Sequence, residues 1–255
     1  MTTVQDIFSF LKSAAPLELQ TDFDNAGFLI GHADSAVRTV LLSLDVTDEV
    51  VEEAIQLGAE LIVSHHPVIF HPIRSITDTS ADTVKLLRLI ENRVAVISMH
   101  TNLDIAEGGV NDVLIKKLGA ETDGALDADG CGRVGHLNEP ITLSEFLAVC
   151  KQTLQVNGLR YVSAGKPVQR LAVMGGAGAG SIAQAAALGC DTYVTADIKY
   201  HDFLNARELG LNLIDADHFC TEDPVISDLR KRLSASFPEV QFIKSTVHRQ
   251  TVQVY

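Results

Sequence analysis

Leu61-Ile62-Val63-Ser64-His65-His66-Pro67 is the stretch on which the reading of this 255-residue chain turns. Three β-favouring apolar residues run directly into two adjacent histidines, and Pro67 keeps the chain from continuing as a strand. Such an uninterrupted apolar run reads as a parallel strand buried on both faces, and open α/β sheets place their chemistry at the carboxyl ends of these strands. Two neighbouring imidazoles there can point their nitrogens into one cleft, and histidine is the commonest metal ligand among side chains. Taken alone, the pair has a plainer explanation: one ring packed, the other solvated.

The flanking sequence repeats the pattern of a strand running into polar residues. Thr3, with Asp6 as a partial capping signal, opens a helix whose stripe is Ile7, Phe8 and Leu11, ended by Pro16. Asp22 to Gly31 is a polar turn entering a short strand, and turn formation alone would explain its Asp, Asn and Gly. Residues 37–44 read as a buried strand ending at Asp45, and 48–57 as a helix stopped by Gly58. After 61–66 come a loop with His71, a helix over 80–92 and a strand over 94–98 that runs into Met99-His100-Thr101-Asn102-Leu103-Asp104. Gly108 and Gly109 precede a helix ending at Leu118-Gly119.

Residues 120–130, rich in Asp, Gly and Ala, read as the linker. Beyond it the spacing predicts an edge strand over 133–137, a helix over 143–154, an extended segment over 161–163 and a strand over 170–174. That strand enters Gly175-Gly176-Ala177-Gly178-Ala179-Gly180-Ser181. Strands follow over 191–195 and 211–214, the second running into Asp215-Ala216-Asp217-His218. A helix over 221–233 and strands over 240–243 and 252–254 complete the reading. The two halves correspond. Ala54 to Glu60 and Ala185 to Asp191 occupy the same helix-to-strand turn, and His100-x3-Asp104 is matched by His218-x3-Glu222. The expected fold class is therefore α/β: two duplicated repeats, about 1–125 and 126–255, with mixed, mainly parallel sheets and a metal site in the cleft between them.

Composition narrows the function. Hydrophobic residues make up 46% of the chain and charged residues 21%, ordinary values for a globular protein. No apolar run is long enough to span a bilayer and no secretion signal opens the chain, so a cytoplasmic protein without membrane contact is expected. The net charge of -13 opposes nucleic-acid binding. Cys131, Cys150, Cys190 and Cys220 form no C-x-x-C pair and read as free thiols.

The polar residues collected at strand ends are His65, His66, His100, Asp104, Asp197, His218 and Glu222. Imidazoles mixed with carboxylates suit zinc, iron(II) or manganese. The number exceeds the needs of one tetrahedral site and suits two divalent ions, which could activate a water and clamp a phosphate or carbonyl. Asp104 and Glu222 have a second reading as helix N-terminal caps. His71, His136, His201 and His248 lack strand-end placement and read as surface or core histidines. Cys220 would point about 200° away from His218 on a helical turn and is left out. Gly178-x-Gly180-x-x-Ala183 with Asp197 downstream is a relaxed dinucleotide fingerprint, but it does not follow the first strand and its counterpart loop, 43–47, has no glycine.

Asp24-Asn25-Ala26-Gly27, Ser43-Leu44-Asp45, Ser64-His65-His66-Pro67, His100-Thr101-Asn102-Leu103-Asp104 with Gly108 and Asn111, the Gly175-Gly176-x-Gly178 loop and His218-Phe219-Cys220-Thr221-Glu222 together resemble the GTP cyclohydrolase I type 2 homologue (Nif-three-like) family, in its compact form without an inserted domain. The resemblance implies two intertwined α/β repeats, a toroidal homohexamer with metal sites facing its inner cavity, and a dinuclear site. Carried over residue by residue, the metal ligands would be His65, His66, Asp104, His218 and Glu222, with His100 beside the metals, either supporting the ligands from behind or shuttling a proton. In the family pattern glycine precedes the last histidine and the acid, where this chain has Asp217 and Ala196. The expected function is a metal-dependent hydrolase acting on a small nucleotide-like or phosphorylated substrate. The alternatives are a metal-delivery protein and a ring scaffold that metals stabilise.

Overall fold

The computed structural model describes residues 1–255, the side chain of Asp82 excepted. The chain forms two units, Met1–Ala106 with Ile226–Arg249, and Glu107–Val225 with Gln250–Tyr255, so each is drawn from more than one stretch of chain.

In the first unit a five-stranded sheet runs in the order Gly27–Ile30, Ala95–Ser98, Leu61–Ser64, Thr39–Ser43 and Gln241–Lys244. Every pairing is parallel except that of the first strand. The central strands are uninterrupted apolar runs because helices cover them: Val40, Leu41, Leu42, Leu61, Ile62, Val63, Val96 and Ile97 are all essentially without solvent contact. Helix Asp48–Leu57 is opened by Thr47, whose hydroxyl accepts from Val50 N, and closed by Gly58 in the left-handed conformation. Helix Val4–Ala14 carries the capping box of Thr3 and Asp6 and buries Val4, Ile7 and Leu11.

The second unit is a six-stranded sheet in the order Glu121–Ala125, Arg133–Ile141, Val168–Ala177, Thr192–Ala196, Asn212–Asp215 and Arg160–Val162. Two expectations are corrected here. The stretch expected as a linker holds the edge strand Glu121–Ala125, and the strand expected at the edge lies inside, paired on both sides. The five residues of Glu121–Ala125 are all exposed, so an edge strand lacks the apolar signal that distinguishes strand from linker. Two more corrections concern the end of the chain. The helix expected over 221–233 is two helices, His218–Glu222 and Pro224–Ser236, broken where Pro224 can supply no main-chain N–H. Residues 252–254 form no strand.

The core of each unit repeats one plan. Three neighbouring parallel strands are followed by an antiparallel edge strand, Gly27–Ile30 in one unit and Arg160–Val162 in the other. Among the described residues, no helix is long and apolar enough to cross a membrane.

Candidate metal centre

In the first unit, two parallel strands that are direct neighbours, Leu61–Ser64 and Ala95–Ser98, deliver the histidines. His65 and His66 follow the first, and His100 follows the second as the residue before helix Thr101–Ile105. Each ring is held through its Nδ1. His65 Nδ1 donates to Met99 O at 2.8 Å, His66 Nδ1 to Asp45 Oδ1 at 2.7 Å and His100 Nδ1 to Asp24 Oδ1 at 2.7 Å. A carbonyl or an ionised carboxylate oxygen can only accept, so each Nδ1 carries the hydrogen and the lone pair falls on Nε2. This is the arrangement in which an outer oxygen fixes the tautomer and orientation of a metal-ligating histidine. The ring centroids lie 4.9 Å apart for His65 and His66, 5.1 Å for His65 and His100, and 5.5 Å for His66 and His100. One ring nitrogen from each of the three falls within 4.8 Å of the others, close enough to hold an ion. His65 Nε2 also lies 3.6 Å from Asp104 Oδ1.

Between His100 and Asp104 the chain is tied down by Thr101 and Asn102. Thr101 donates from both main chain and hydroxyl to Asp24 Oδ2, the main-chain bond at 3.0 Å. The fully buried Asn102 anchors the turn by donating from Nδ2 to Ala15 O at 2.8 Å. Asp104 lies one helical turn beyond His100 and so comes to the same face. Burial would raise the Asp24 carboxyl, but hydrogen bonds from His100 and Thr101 outweigh it and hold it down at about 2. Burial likewise opposes ionisation of Asp45, and hydrogen bonds from His248 and His66 prevail, keeping it well below the usual carboxylate range.

The second unit applies the same logic to His218 and Glu222. Both sit on the five-residue helix His218–Glu222, with His218 Nε2 3.1 Å from Glu222 Oε2. His218 Nδ1 donates to Asp197 Oδ2 at 2.8 Å, which again leaves the lone pair on Nε2. The three residues between them have structural duties. Phe219 packs against the core, and Cys220 is buried in it, its thiol pushed up to about 12 by burial and the nearby Asp217. Thr221 Oγ1 accepts from Gly176 N at 3.0 Å. Neither acid is a helix N-terminal cap. The residue before helix Thr101–Ile105 is His100, and the cap of His218–Glu222 is Asp217, which accepts from Cys220 N.

The glycine loop serves Glu222. Gly176 has φ +64°, and a Cβ on it would lie 2.2 Å from Glu222 Oε1 and 3.1 Å from His218 Cε1. The amides of Gly175, Gly176 and Gly178 donate to the side chains of Asn111, Thr221 and Thr195. The Gly178 amide, the first of the relaxed dinucleotide fingerprint, is thus already used on Thr195 inside the protein. Asp217 has φ 68° and ψ 138°, a region that favours glycine, at the position where the resemblance led glycine to be expected. Asp197 is also left-handed at φ 56°.

Sequence reading missed Asp24, Asp45 and His248. Asp24 lay in a turn that turn-forming preference already explained, and Asp45 read only as the end of a strand. His248 sits in an irregular segment, yet its Nε2 is 3.2 Å from Asp45 Oδ2. Of the other histidines set aside, His136 pairs with Asp123 at 2.8 Å, His71 stacks beside Phe70 and His201 beside Tyr200.

Imidazoles with fixed lone pairs beside carboxylates fit a borderline divalent cation; in the first unit His65, His66 and His100 form a group that could hold one, and in the second unit His218 and Glu222 form a histidine–carboxylate pair. Fold and site thus define a mixed α/β protein with two sheets, each built on a parallel core, and histidine–carboxylate groups able to bind metal. Comparison with known proteins places it further. The Duf34/NIF3 (NGG1p interacting factor 3) family model matches residues 2–251, and the chain belongs to that family. A protein of Clostridium perfringens named GTP cyclohydrolase 1 type 2 homolog is 34% identical over 250 residues, 95% of each chain. A protein of the same name from Nostoc sp. is 39% identical over 206 residues, 76% of each. Among solved structures, a Bacillus cereus protein related to NIF3 superimposes with a TM-score of 0.92 at 27% identity, covering 100% of this chain and 99% of the other. Reduced HcgD from Methanocaldococcus jannaschii gives 0.85 at 30% identity, covering 95% and 97%.

Proposed function

We propose that the protein is a metal-dependent hydrolase that holds two divalent ions and acts on a small nucleotide-like or phosphorylated substrate. The ligands are His65, His66 and Asp104 in the first unit and His218 and Glu222 in the second. The observation that carries this reading is the convergence of His65, His66 and His100, one ring nitrogen of each within 4.8 Å of the others and each Nδ1 held by an oxygen behind it. Divalent ions, when bound, supply Lewis acidity and a water acidic enough to give hydroxide near neutral pH. His100, oriented by Asp24, has the geometry to carry a proton between a substrate atom and solvent. The relatives' name, GTP cyclohydrolase 1 type 2 homolog, makes a purine nucleotide the first substrate class to try.

A second reading, metal delivery without turnover, draws support from the scarcity of cationic side chains in the strand-end segments, where Lys199, two residues after Asp197, is the one candidate. The test begins with metal content by plasma mass spectrometry on protein purified without oxygen or chelator. About two ions per chain are expected, with loss in His65→Ala. Less than one ion, unchanged in the variant, sinks the metal reading. Turnover of GTP or a related nucleotide that disappears in Glu222→Gln selects the hydrolase, and metal transfer to an apo acceptor without substrate depletion selects delivery.

A further inference from the structure

We propose that His248 is a positioning residue for His66, acting through Asp45. The proposal rests on the metal reading above and adds a residue to it that lies nearly two hundred positions from His66 in sequence. Asp45 uses both carboxylate oxygens on histidines: Oδ1 accepts from His66 Nδ1 at 2.7 Å, and Oδ2 lies 3.2 Å from His248 Nε2. A carboxylate fixed at one oxygen only can rotate about its side-chain torsions, and the ring bonded to it follows. Held at both oxygens, it fixes the plane in which His66 presents Nε2.

His248 is itself built in. Its Nδ1 is 3.3 Å from Ser43 Oγ, and its main-chain N donates to Ser245 Oγ at 3.2 Å. The segment that carries it is clamped by Glu53, which accepts from Ser245 Oγ, from Thr246 N at 3.0 Å and from Thr246 Oγ1 at 2.7 Å. Ser245 N also donates to Leu42 O at 2.8 Å, continuing the line of strand Gln241–Lys244. The chain returns from this edge strand to place one imidazole behind a carboxylate at the end of Thr39–Ser43. The Ser43–His248–Asp45 contacts resemble a nucleophile triad, but Ser43 is 1% exposed and its hydroxyl donates to Asp45 O at 2.6 Å, so it has no access to a substrate. Orientation of His66 is the use that remains.

The experiment titrates apo protein with cobalt(II), following the visible ligand-field bands and competing with a chelator of known affinity. His248→Ala is expected to weaken the affinity of the His66-dependent ion about 10- to 100-fold and to alter its bands. His248→Gln, whose amide can donate to Asp45, is expected to restore affinity to within about threefold, which loss of packing alone would not explain. His136→Ala, at a surface histidine–carboxylate pair, serves as the control. Should His248→Ala melt early, His248→Phe keeps a ring and removes both nitrogens, and is read in the same way. Wild-type bands and affinity in a folded His248→Ala or His248→Phe overturn the positioning role. Failure of the wild-type protein to bind cobalt at all overturns the metal reading instead.

Discussion

At the scale of single residues, the site is a set of rings whose orientation is settled by oxygens behind them. Asp24 is the clearest case, since its carboxyl falls from the ordinary 3.8 to about 2 because His100 and Thr101 donate to it against the burial that would raise it. A carboxylate whose pKa is depressed on folding contributes stability above its ordinary value, and the contribution is lost as pH falls through the folded value. Asp24→Asn should therefore lower the stability of the metal-free protein near neutral pH, with the gap from wild type closing between about pH 4 and pH 2. Urea unfolding at a series of pH values measures it, and a gap constant down to pH 2 would contradict the assignment. His65, His66 and His100 were legible in the sequence because they follow strands. Asp24 was visible as a turn former and Asp45 as a strand end, both within motifs of the family resemblance, but nothing in a sequence says which ring a carboxylate will meet.

At the scale of elements, the repeated His-x3-acid reduces to one helical turn placed directly after a strand. In Thr101–Ile105 the turn is fixed by Asp24 and Ala15, and in His218–Glu222 by Asp217 and the glycine loop. Such short helices are not stable alone, so tertiary bonds must hold them. Thr221→Val keeps the shape of the side chain but leaves the buried Gly176 N–H without its acceptor, which should cost about 1–3 kcal/mol. Gly176→Ala should cost a similar amount, about 1–3 kcal/mol, because the new methyl group meets Glu222 at a backbone angle that favours glycine. Chemical denaturation of both variants is the check; a change under about 0.5 kcal/mol in each would show that the glycine loop does not hold this helix. Element prediction succeeded where burial forces a pattern, as in Leu61–Ser64 and Leu143–Leu154, and failed where it does not, as in Glu121–Ala125.

For the whole molecule, the family resemblance makes a homohexamer the proposed assembly. Light scattering should then give a mass near six times 27.5 kDa. If the metals serve chemistry or delivery, that mass should persist after chelation and dialysis; a ring that falls to single chains on metal removal would favour the scaffold alternative. The sequence by itself determined the parallel strands, the positions of the histidines at their ends and the family, because apolar runs, turn residues and local motifs are properties of contiguous chain. Tertiary structure decided which oxygen stands behind each ring, that Gln241–Lys244 joins the first sheet beside Thr39–Ser43, and that His248 reaches Asp45. Those outcomes depend on strand pairing and hydrogen bonds between residues far apart in sequence, and no local pattern specifies the partner of a polar atom.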